Sequence, residues 1–454
     1  MAYYTRLVDT ELAAWKDKTR RKPLLMRGAR QVGKSWAVRH LGENFKYYIE
    51  VNFEKRPEIK QVFEEIADVH TIAERLSAIY TTPVVPGETL LFLDEIQACP
   101  AAINSLWGFK EDFPELHVVG AGSLLEFTLK EMPSFGVGRI SSLFVYPMSF
   151  DEFLMADGKT MWIDEKYKAN PQNPIFEVLH KELVQAFRTF LLVGGMPASV
   201  ATWVETHDYL QCADELDDIR QSYYDDFVKY TGKVDPQLLR NTLHSIIMQI
   251  GSKFVYSHVD GGYKSDDVKK ALGMLIDAGL AKRVNHTAAN GIPLGAEMNT
   301  KFKKYIYLDS GLLLRIMDME LGGAETIRTQ ILADVASELV NKGGLTEMVA
   351  GWELIKYAPA KSQHDLYYWE NLKNGTVSEV DYILSRNMAI LPMEVKSGTS
   401  GKMKSLRLFM KSKNISYAIR TSLENYTQLV FTEEGDVNIT RKIDVIPLYA
   451  LSVL

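Results

Sequence analysis

Short apolar runs alternate with helix-like segments over the first third of the chain. Strands are predicted at five such runs: Pro23–Met26, Tyr47–Phe53, Thr89–Glu95, Leu116–Ser123 and Ile140–Tyr146. Between the second and third runs, residues 57–80 carry apolar side chains at helical spacing, with Glu and Lys at the polar positions. Buried strands that alternate with amphipathic helices are typical of a parallel sheet with helices on both faces. The pattern therefore predicts a three-layer α/β core for residues 1–155.

The middle of the chain is mainly helical in pattern. We predict a helical segment over residues 156–235, in which Val193–Pro197 marks a helix end, a turn and a restart, as punctuation or as a hinge. A winged-helix-like domain follows over residues 236–320, with helices at Leu239–Gln249 and Asp266–Ala278 and then a strand. The second helix of a DNA-binding winged helix enters the major groove. This one carries aspartates beside its lysines, which favours a domain that packs on protein.

The last third places two carboxylates and a lysine on a predicted β-hairpin. Its strands are Ser378–Leu384 and Ala389–Lys396, and the short turn between them brings Asp381 diagonally close to Glu394. Because side chains alternate along a strand, Glu394 and Lys396 share one face.

This grouping is the one that metal-dependent phosphodiester cleavage uses, with carboxylates that hold Mg²⁺ and a lysine that stabilises charge or helps to activate water. Glu347, on a predicted helix over Leu345–Leu354, is the candidate third acid. Residues 396–420 contain seven Lys or Arg residues and no Asp or Glu, a candidate face for DNA or RNA. We predict a nuclease-like fold for residues 321–454. A structural ion cluster without cleavage is the alternative.

Composition is that of an ordinary globular protein. The chain has 454 residues, 46% hydrophobic and 24% charged, with a net charge of −6, so two or three domains and no general attraction to nucleic acid are expected. Its two cysteines have no metal-binding spacing. No apolar run approaches the roughly 20 residues that span a bilayer. We therefore expect a cytoplasmic protein that makes no use of a membrane.

The most specific motif lies between the first predicted strand and a helix, and it matches G-x-x-x-x-G-K-[S/T]. Its glycines allow backbone angles that gather N–H groups around phosphates, and the helix terminus adds its dipole. Lys34 reaches the β- and γ-phosphates, and the Ser35 hydroxyl is a ligand for Mg²⁺. The residues assigned to nucleotide binding are Gly28, Ala29, Arg30, Gln31, Val32, Gly33, Lys34 and Ser35.

Two acids follow the third predicted strand. Asp94 can hold Mg²⁺ through water, and Glu95 can orient and deprotonate an attacking water molecule. Ser123, after the fourth strand, is either a γ-phosphate sensor or a helix N-cap. Arg139 is either an arginine finger, in its own chain or toward a neighbouring copy, or a surface arginine.

Ten segments carry a family resemblance: Gly28–Ser35, Leu93–Glu95, Gly122–Ser123, Gly138–Arg139, Pro147–Leu154, Gly194–Pro197, Asp309–Leu312, Tyr368–Trp369, Glu379–Asp381 and Glu394–Gly398. With them the chain resembles, over nearly its whole length, bacterial and archaeal AAA-type ATPases with a C-terminal domain of unknown function and a restriction-endonuclease-like fold. The resemblance implies ATP binding, a winged-helix middle segment and a nuclease-like C-terminus. Gly344–Val349 departs from the usual helix start, although Glu347 is kept.

The sequence therefore predicts an ATP hydrolase that uses Mg²⁺ and couples its nucleotide state to the winged-helix and C-terminal parts. The catalytic residues would be Lys34, Glu95 and Arg139. An unknown protein partner is expected, and a homo-oligomer if Arg139 acts on a neighbouring copy. Two alternatives are an ATP-regulated, metal-dependent nuclease and a non-catalytic, nucleotide-gated binding switch.

Overall fold

The computed structural model describes residues 3–66, 68–123, 125–132, 138–228, 234–321, 342–373, 376–398, 403–433 and 439–454. The chain forms two compact units. The first comprises Met1–Met148, Asp277–Leu280 and Pro359–Gln363, and the second comprises Ser149–Ile276, Ala281–Ala358 and His364–Leu454.

The first unit is built on a five-stranded parallel sheet in the order β2-β3-β4-β1-β5. Its strands are β1 Leu24–Arg27, β2 Tyr47–Asn52, β3 Thr89–Asp94, β4 His117–Ala121 and β5 Ser141–Phe144. Its helices are α1 Leu7–Lys16, α2 Lys34–Gly42, α3 Lys60–Glu64, α4 Val69–Tyr80, α5 Pro100–Glu111 and α6 Leu125–Glu131. The predicted α/β core with a parallel sheet is confirmed. The helix predicted after Ser123 begins at Leu125, and Leu124 lies outside the described residues.

Burial explains why these apolar runs form strands. Every residue of β3 is buried, because the strand lies inside the sheet between β2 and β4. Leu91 and Leu93 pack in one core with Ile72 and Leu76 of α4 and Leu106 of α5. An apolar strand in this position holds the carboxyl edge of the sheet rigid, and the loops at that edge carry the polar motifs.

The second unit contains ten described helices. They are α7 Phe150–Ala156, α8 Thr160–Lys168, α9 Glu177–Val193, α10 Pro197–Thr206, α11 Tyr209–Val228, α12 Pro236–Met248, α13 Ser265–Asp277, α14 Ser310–Leu321, α15 Lys342–Lys356 and α16 Lys404–Ser412. The last residue of α13, Asp277, groups with the first unit. No helix in the described part of the chain is both long and apolar enough to cross a bilayer.

Two sheets complete the second unit. The strands are β6 Ala281–Thr287, β7 Met298–Tyr307, β8 Leu366–Lys373, β9 Thr376–Val380, β10 Tyr382–Arg386, β11 Ala389–Val395, β12 Tyr417–Ser422, β13 Thr427–Glu433 and β14 Ile439–Pro447. They pair in the orders β7-β6-β8-β9 and β10-β11-β12-β14-β13.

The single strand predicted over Ser378–Leu384 is wrong. It is broken at Asp381, because β9 pairs with β8 in one sheet while β10 pairs with β11 in the other. The hairpin between β10 and β11 turns at Asn387 and Met388, which both have positive φ, as the tight primed turns of hairpins require. Asp381 therefore lies where the chain passes from one sheet to the next.

The region predicted as a winged helix contains α12, α13 and the antiparallel pair of β6 and β7. In the same sheet β6 also pairs in parallel with β8. Strand pairing thus continues across the boundary that we drew between residues 320 and 321. The winged-helix assignment and the domain boundaries stay predictions.

The glycine turn at Val193–Pro197 is held by a buried carboxylate. Helix α9 ends at Val193 and α10 begins at Pro197, as the pattern predicts. Asp309 accepts hydrogen bonds from the backbone N–H groups of Gly195, at 2.7 Å, and Leu312, at 3.1 Å. Gly194 has φ +72°, and a Cβ there would lie 2.2 Å from Asp309 Oδ1. Only glycine fits this close approach.

Gly194→Ala is expected to destabilise the second unit by about 3 kcal/mol, from left-handed backbone strain plus overlap with Asp309. Gly158 is a matched control, because its φ is +73° but no atom lies within 4 Å of the added Cβ. Gly158→Ala should lose only about 1 kcal/mol, from strain alone. Urea unfolding of both variants measures the difference, and equal losses would contradict the packing argument.

Candidate functional sites

The loop between β1 and α2 is held by close backbone packing. Gly28 has φ +141°, and a Cβ at this position would lie 2.1 Å from the carbonyl oxygen of Val145. Gly33, with φ +95°, is the N-cap of α2. Arg6, which the sequence analysis missed, donates from Nη1 to the carbonyl of Val32 at 2.9 Å and from Nη2 to that of Tyr146 at 2.8 Å. The loop backbone is therefore one that glycine permits, and the buried Arg6 guanidinium supports it.

The ammonium of Lys34 lies inside this loop. Its Nζ donates to the carbonyl oxygens of Gly28, at 3.0 Å, and Ala29, at 2.6 Å. Burial lowers the pKa of Lys34 to about 8, although the nearby carboxylates of Glu95 and Asp94 act in the opposite direction. Among the described residues this buried cation bonds neutral carbonyls, so its charge is available to an anion, and the donor set fits a phosphate group.

The other assigned loop residues divide by burial. Ala29 and Val32 are buried, and Val32 is fully enclosed. Arg30 is half-buried, while Gln31 is exposed and has φ +63°. Ala29 and Val32 therefore contribute backbone and packing rather than side-chain contacts to any ligand.

Asp94 lies at the end of β3 beside two polar groups. Its Oδ1 accepts from the hydroxyl of Ser35 at 2.8 Å, and its Oδ2 accepts from the amide of Asn52 at 2.8 Å. Burial raises the pKa of Asp94, and Glu95 adds to this effect, while the bonds from Ser35 and Asn52 oppose it. A hydroxyl and a carboxylate in contact are the oxygen ligands that Mg²⁺ takes at nucleotide sites, so these residues fit that ion.

Asn52 was not identified from the sequence. The register of the sheet pairs Asn52 of β2 directly with Asp94 of β3. A single asparagine at the end of a strand identifies a site only when the strand order is known. Beyond it, Arg39 binds Glu50 at 2.7 Å and lies 3.9 Å from Asp94.

Glu95 has a left-handed backbone with φ +49° and is held by a second residue that the sequence analysis missed. Gln97 Nε2 donates to Glu95 Oε2 at 2.6 Å. The other amide atom, Gln97 Oε1, is buried without a hydrogen-bond partner among the described residues. It lies where a side chain on Gly122 would be, 2.0 Å from the position of the missing Cβ. Gln97 therefore fixes the direction of the Glu95 carboxylate.

Ser123 and Arg139 lie in different places in the first unit. Ser123 is buried and follows β4, which lies between β1 and β3, so it belongs to the same edge of the sheet as the loop. Arg139 precedes β5, whose first residue, Ser141, is level with Leu24 at the start of β1. Arg139 therefore lies at the opposite edge, where it is half exposed and pairs with Glu111 at 2.9 Å. This position disfavours a role toward a phosphate of its own chain.

A second group of charged residues lies in the second unit. Glu347 on α15, Glu379 on β9 and Asp381 each offer one carboxylate oxygen, and these oxygens lie within 4.8 Å of one another. Lys304 of β7 enters the group and donates from Nζ to Glu347 Oε1 at 2.9 Å and to Glu379 Oε1 at 2.5 Å. The sequence analysis gave neither Glu379 nor Lys304 a role at this site. Glu379 lies on the predicted hairpin strand Ser378–Leu384, whereas Lys304 lies on β7, far from the hairpin in sequence.

The two hairpin residues lie beside this group. Asp381 Oδ2 accepts from the backbone N–H of Val395 at 2.7 Å, and Lys396 Nζ bonds Glu394 Oε1 at 2.5 Å. Burial, with Asp381 nearby, raises the pKa of Glu394 to about 7. Burial also raises the pKa of Glu347 to about 8, against the opposing effect of Lys304. The structure thus brings Asp381, Glu394 and Glu347 into one region, with Lys304 in addition.

Comparison with protein families gives three matches along the chain. Residues 20–154 match a family described as an AAA domain. Residues 184–321 match a domain of unknown function, DUF8612, and residues 342–451 match another, DUF4143. No curated protein matches the chain. Residues 20–154 are therefore similar to AAA domains, and they contain the P-loop motif between β1 and α2. The C-terminal match names no activity, so the nuclease-like assignment is not supported by it.

Two solved structures are similar to the chain at low identity. The Walker-type ATPase PABY2304 of Pyrococcus abyssi is 14% identical with a TM-score of 0.44, and the match covers 69% of this chain and 96% of that one. The Aeropyrum pernix ORC1 protein, solved in complex with DNA, is 13% identical with a TM-score of 0.29, covering 74% of this chain and 95% of that one. Neither TM-score reaches 0.5, so neither structure carries an argument about this chain.

The Lys34 pKa predicts how nucleotide affinity depends on pH. A triphosphate favours the charged form of Lys34, so below a pH of about 8 the free protein already carries the needed proton. Above that pH, binding must take up a proton, and the dissociation constant should rise by up to about tenfold per pH unit. Titration with a fluorescent ATP analogue between pH 7 and 9.5 measures this dependence.

Lys34→Arg is the matched control, because arginine keeps its charge over this range. Its affinity, whatever its absolute value, should be flat with pH. A flat profile for the unmodified protein would show that Lys34 does not meet the phosphates as a titrating ammonium.

Proposed function

We propose that this protein hydrolyses ATP with Mg²⁺ and uses its nucleotide state to control its second unit. The observation that carries the proposal is the convergence of three groups at one edge of a parallel sheet: the Lys34 ammonium, the Ser35–Asp94 pair and the Glu95 carboxylate. The AAA-domain match over residues 20–154 supports ATP as the nucleotide.

Different residues of the first unit would carry out the separate parts of hydrolysis. The loop N–H groups and Lys34 would bind the phosphates, while Ser35 and Asp94 would hold Mg²⁺. The bound ion would neutralise phosphate charge. Glu95 would accept a proton from the attacking water. Because Gln97 Nε2 holds Glu95 Oε2, the other carboxylate oxygen is the one that can face that water. Ser123 would sense the γ-phosphate from the end of β4.

Arg139 would act on a neighbouring copy of the chain. Its position before β5, at the edge opposite the loop, supports this assignment over action within one chain. It is half exposed and its partner Glu111 is also half exposed, so the ion pair can open at little cost in free energy. The proposal therefore includes a homo-oligomer as the active form.

A segment of the first unit supports coupling of nucleotide state to the rest of the chain. Residues Asp277–Leu280 belong to the first unit and lie, in sequence, between α13 and β6. A Cβ on Gly279 would lie 3.0 Å from the backbone nitrogen of Ala29 in the phosphate loop. Lys130 also bonds Asp277 within this unit, at 2.6 Å. Movement of the loop on nucleotide binding would therefore reach a segment that continues directly into β6.

Nucleic acid cleavage is the rival activity, and it would use Asp381, Glu394 and Lys396, with Glu347 as the third acid. The observation against it is the ammonium of Lys304, which already bonds Glu347. A nucleotide-gated switch without sustained turnover is the other rival. It would bind ATP while hydrolysing it well below ~1 per second.

Two substitutions separate binding from chemistry. Lys34→Ala should abolish saturable ATP binding and turnover, because the phosphates lose their only buried ammonium among the described loop residues. Glu95→Gln should keep ATP affinity and lower kcat about 100-fold or more, since general-base catalysis contributes about that much. Steady-state phosphate release and equilibrium nucleotide binding are the two measurements.

Lys46→Ala is the matched control, because Lys46 is an exposed lysine of the same unit, 63% accessible and paired with Glu88. It should leave both quantities unchanged. Turnover in Lys34→Ala at the unmodified rate would overturn the proposal. Tight binding with no turnover in the unmodified protein would instead establish the switch.

A further inference from the structure

The acidic cluster of the second unit contains its own cation. Lys304 is 1% exposed. Its Nζ bonds Glu347 and Glu379 and lies 5.1 Å from the ring centre of Tyr368. Asp381 is near enough to raise the pKa of Lys304 further, so that these three carboxylates outweigh the effect of burial. The ammonium therefore stays charged inside the cluster.

We propose that Lys304 takes the place of a divalent metal ion in this cluster and thereby joins the segment over residues 184–321 to the segment over residues 342–451. The inference goes beyond ATP hydrolysis and does not depend on it. The cluster has the acidic residues of a metal centre, but Lys304 supplies the positive charge, so no metal ion is needed.

The geometry of the carboxylates supports this replacement. Glu347 Oε1 and Glu379 Oε1 accept hydrogen bonds from Lys304 Nζ, and both residues belong to the three whose carboxylates lie close enough together to hold a metal ion. Mg²⁺ requires ligand oxygens at about 2.1 Å in near-octahedral arrangement, which the lysine stem and its charge obstruct. An ammonium and a divalent cation also repel strongly in a site shielded from water. Metal could therefore enter only if Lys304 left.

The cluster retains acceptors that a metal ion could use if the lysine were absent. Glu394 is 5% exposed, and its Oε2 is buried with no hydrogen-bond partner in the part of the chain that the structure describes. Asp381 uses Oδ2 for the backbone of Val395. Four carboxylates, from Glu347, Glu379, Asp381 and Glu394, thus face two ammonium groups, from Lys304 and Lys396. Burial raises the pKa values of Glu347, Glu379 and Glu394, and the neighbouring carboxylates add to the rise.

The cluster has a structural role, because Lys304 and its carboxylate partners lie on different segments of the chain. Lys304 lies on β7 in the region of the first domain of unknown function, whereas all its carboxylate partners lie in the region of the second. The strand β6, paired with β7, also pairs with β8. The buried ion pairs add a charged connection to this backbone pairing, and breaking one partner of such a cluster is strongly destabilising.

The test is Mn²⁺ binding to the full chain without nucleotide, measured by electron paramagnetic resonance of free Mn²⁺. Lys304→Met keeps the aliphatic stem and removes the charge. This variant should gain one Mn²⁺ site that the unmodified protein lacks. The double variant Lys304→Met/Asp381→Asn should lose the gained site. Added Mn²⁺ should also raise the melting temperature of Lys304→Met but not that of the double variant.

The unmodified protein provides a test that needs no change at Lys304. Its Mn²⁺ isotherm should be identical to that of Asp381→Asn, since the carboxylates already hold a cation. Loss of a Mn²⁺ site in Asp381→Asn alone would overturn the proposal, as would a folded Lys304→Met variant that gains no site. Either result would leave the ATPase proposal intact, because that proposal is tested at Lys34 and Glu95.

Discussion

The nucleotide site depends on one close contact, that of Gly28 with the carbonyl of Val145. Because no side chain fits between them, the chain leaves β1 in a conformation that turns the loop around the Lys34 ammonium. Arg6 fixes the same two segments from behind, through the carbonyls of Val32 and Tyr146. The parallel sheet positions the other polar residues of the site. The register of β2, β3 and β4 places Asn52, Asp94 and the residues after Ala121 at the same edge.

Two buried lysines show how the immediate partners of an ammonium decide its use. Lys34 bonds neutral carbonyls, and burial lowers its pKa to about 8. Lys304 bonds carboxylates, which raise its pKa despite comparable burial. The first therefore has no ionic partner in direct contact within the described part of the chain, and it is suited to an incoming anion. The second is already neutralised, so it serves the fold and excludes another cation.

The sequence was sufficient for the features that depend on local pattern. Apolar runs located β1 to β5, and the glycine spacing located the loop, because strand burial and left-handed backbone each require particular residue types. Asn52, Gln97 and Lys304 could not be found in this way. Their roles follow from pairing between segments far apart in the chain, and single polar residues carry no such information. The break at Asp381 was missed for the same reason, since only the strand partners show that β9 and β10 belong to different sheets.

The most direct test of the account is calorimetric titration of the full chain with MgATP near pH 7. If the Gly28–Ser35 loop and Asp94 form a triphosphate site, the titration will give a saturable heat with one nucleotide bound per chain. A folded protein that gives no heat with MgATP at any accessible concentration, when a second method also detects no binding, would contradict the central claim.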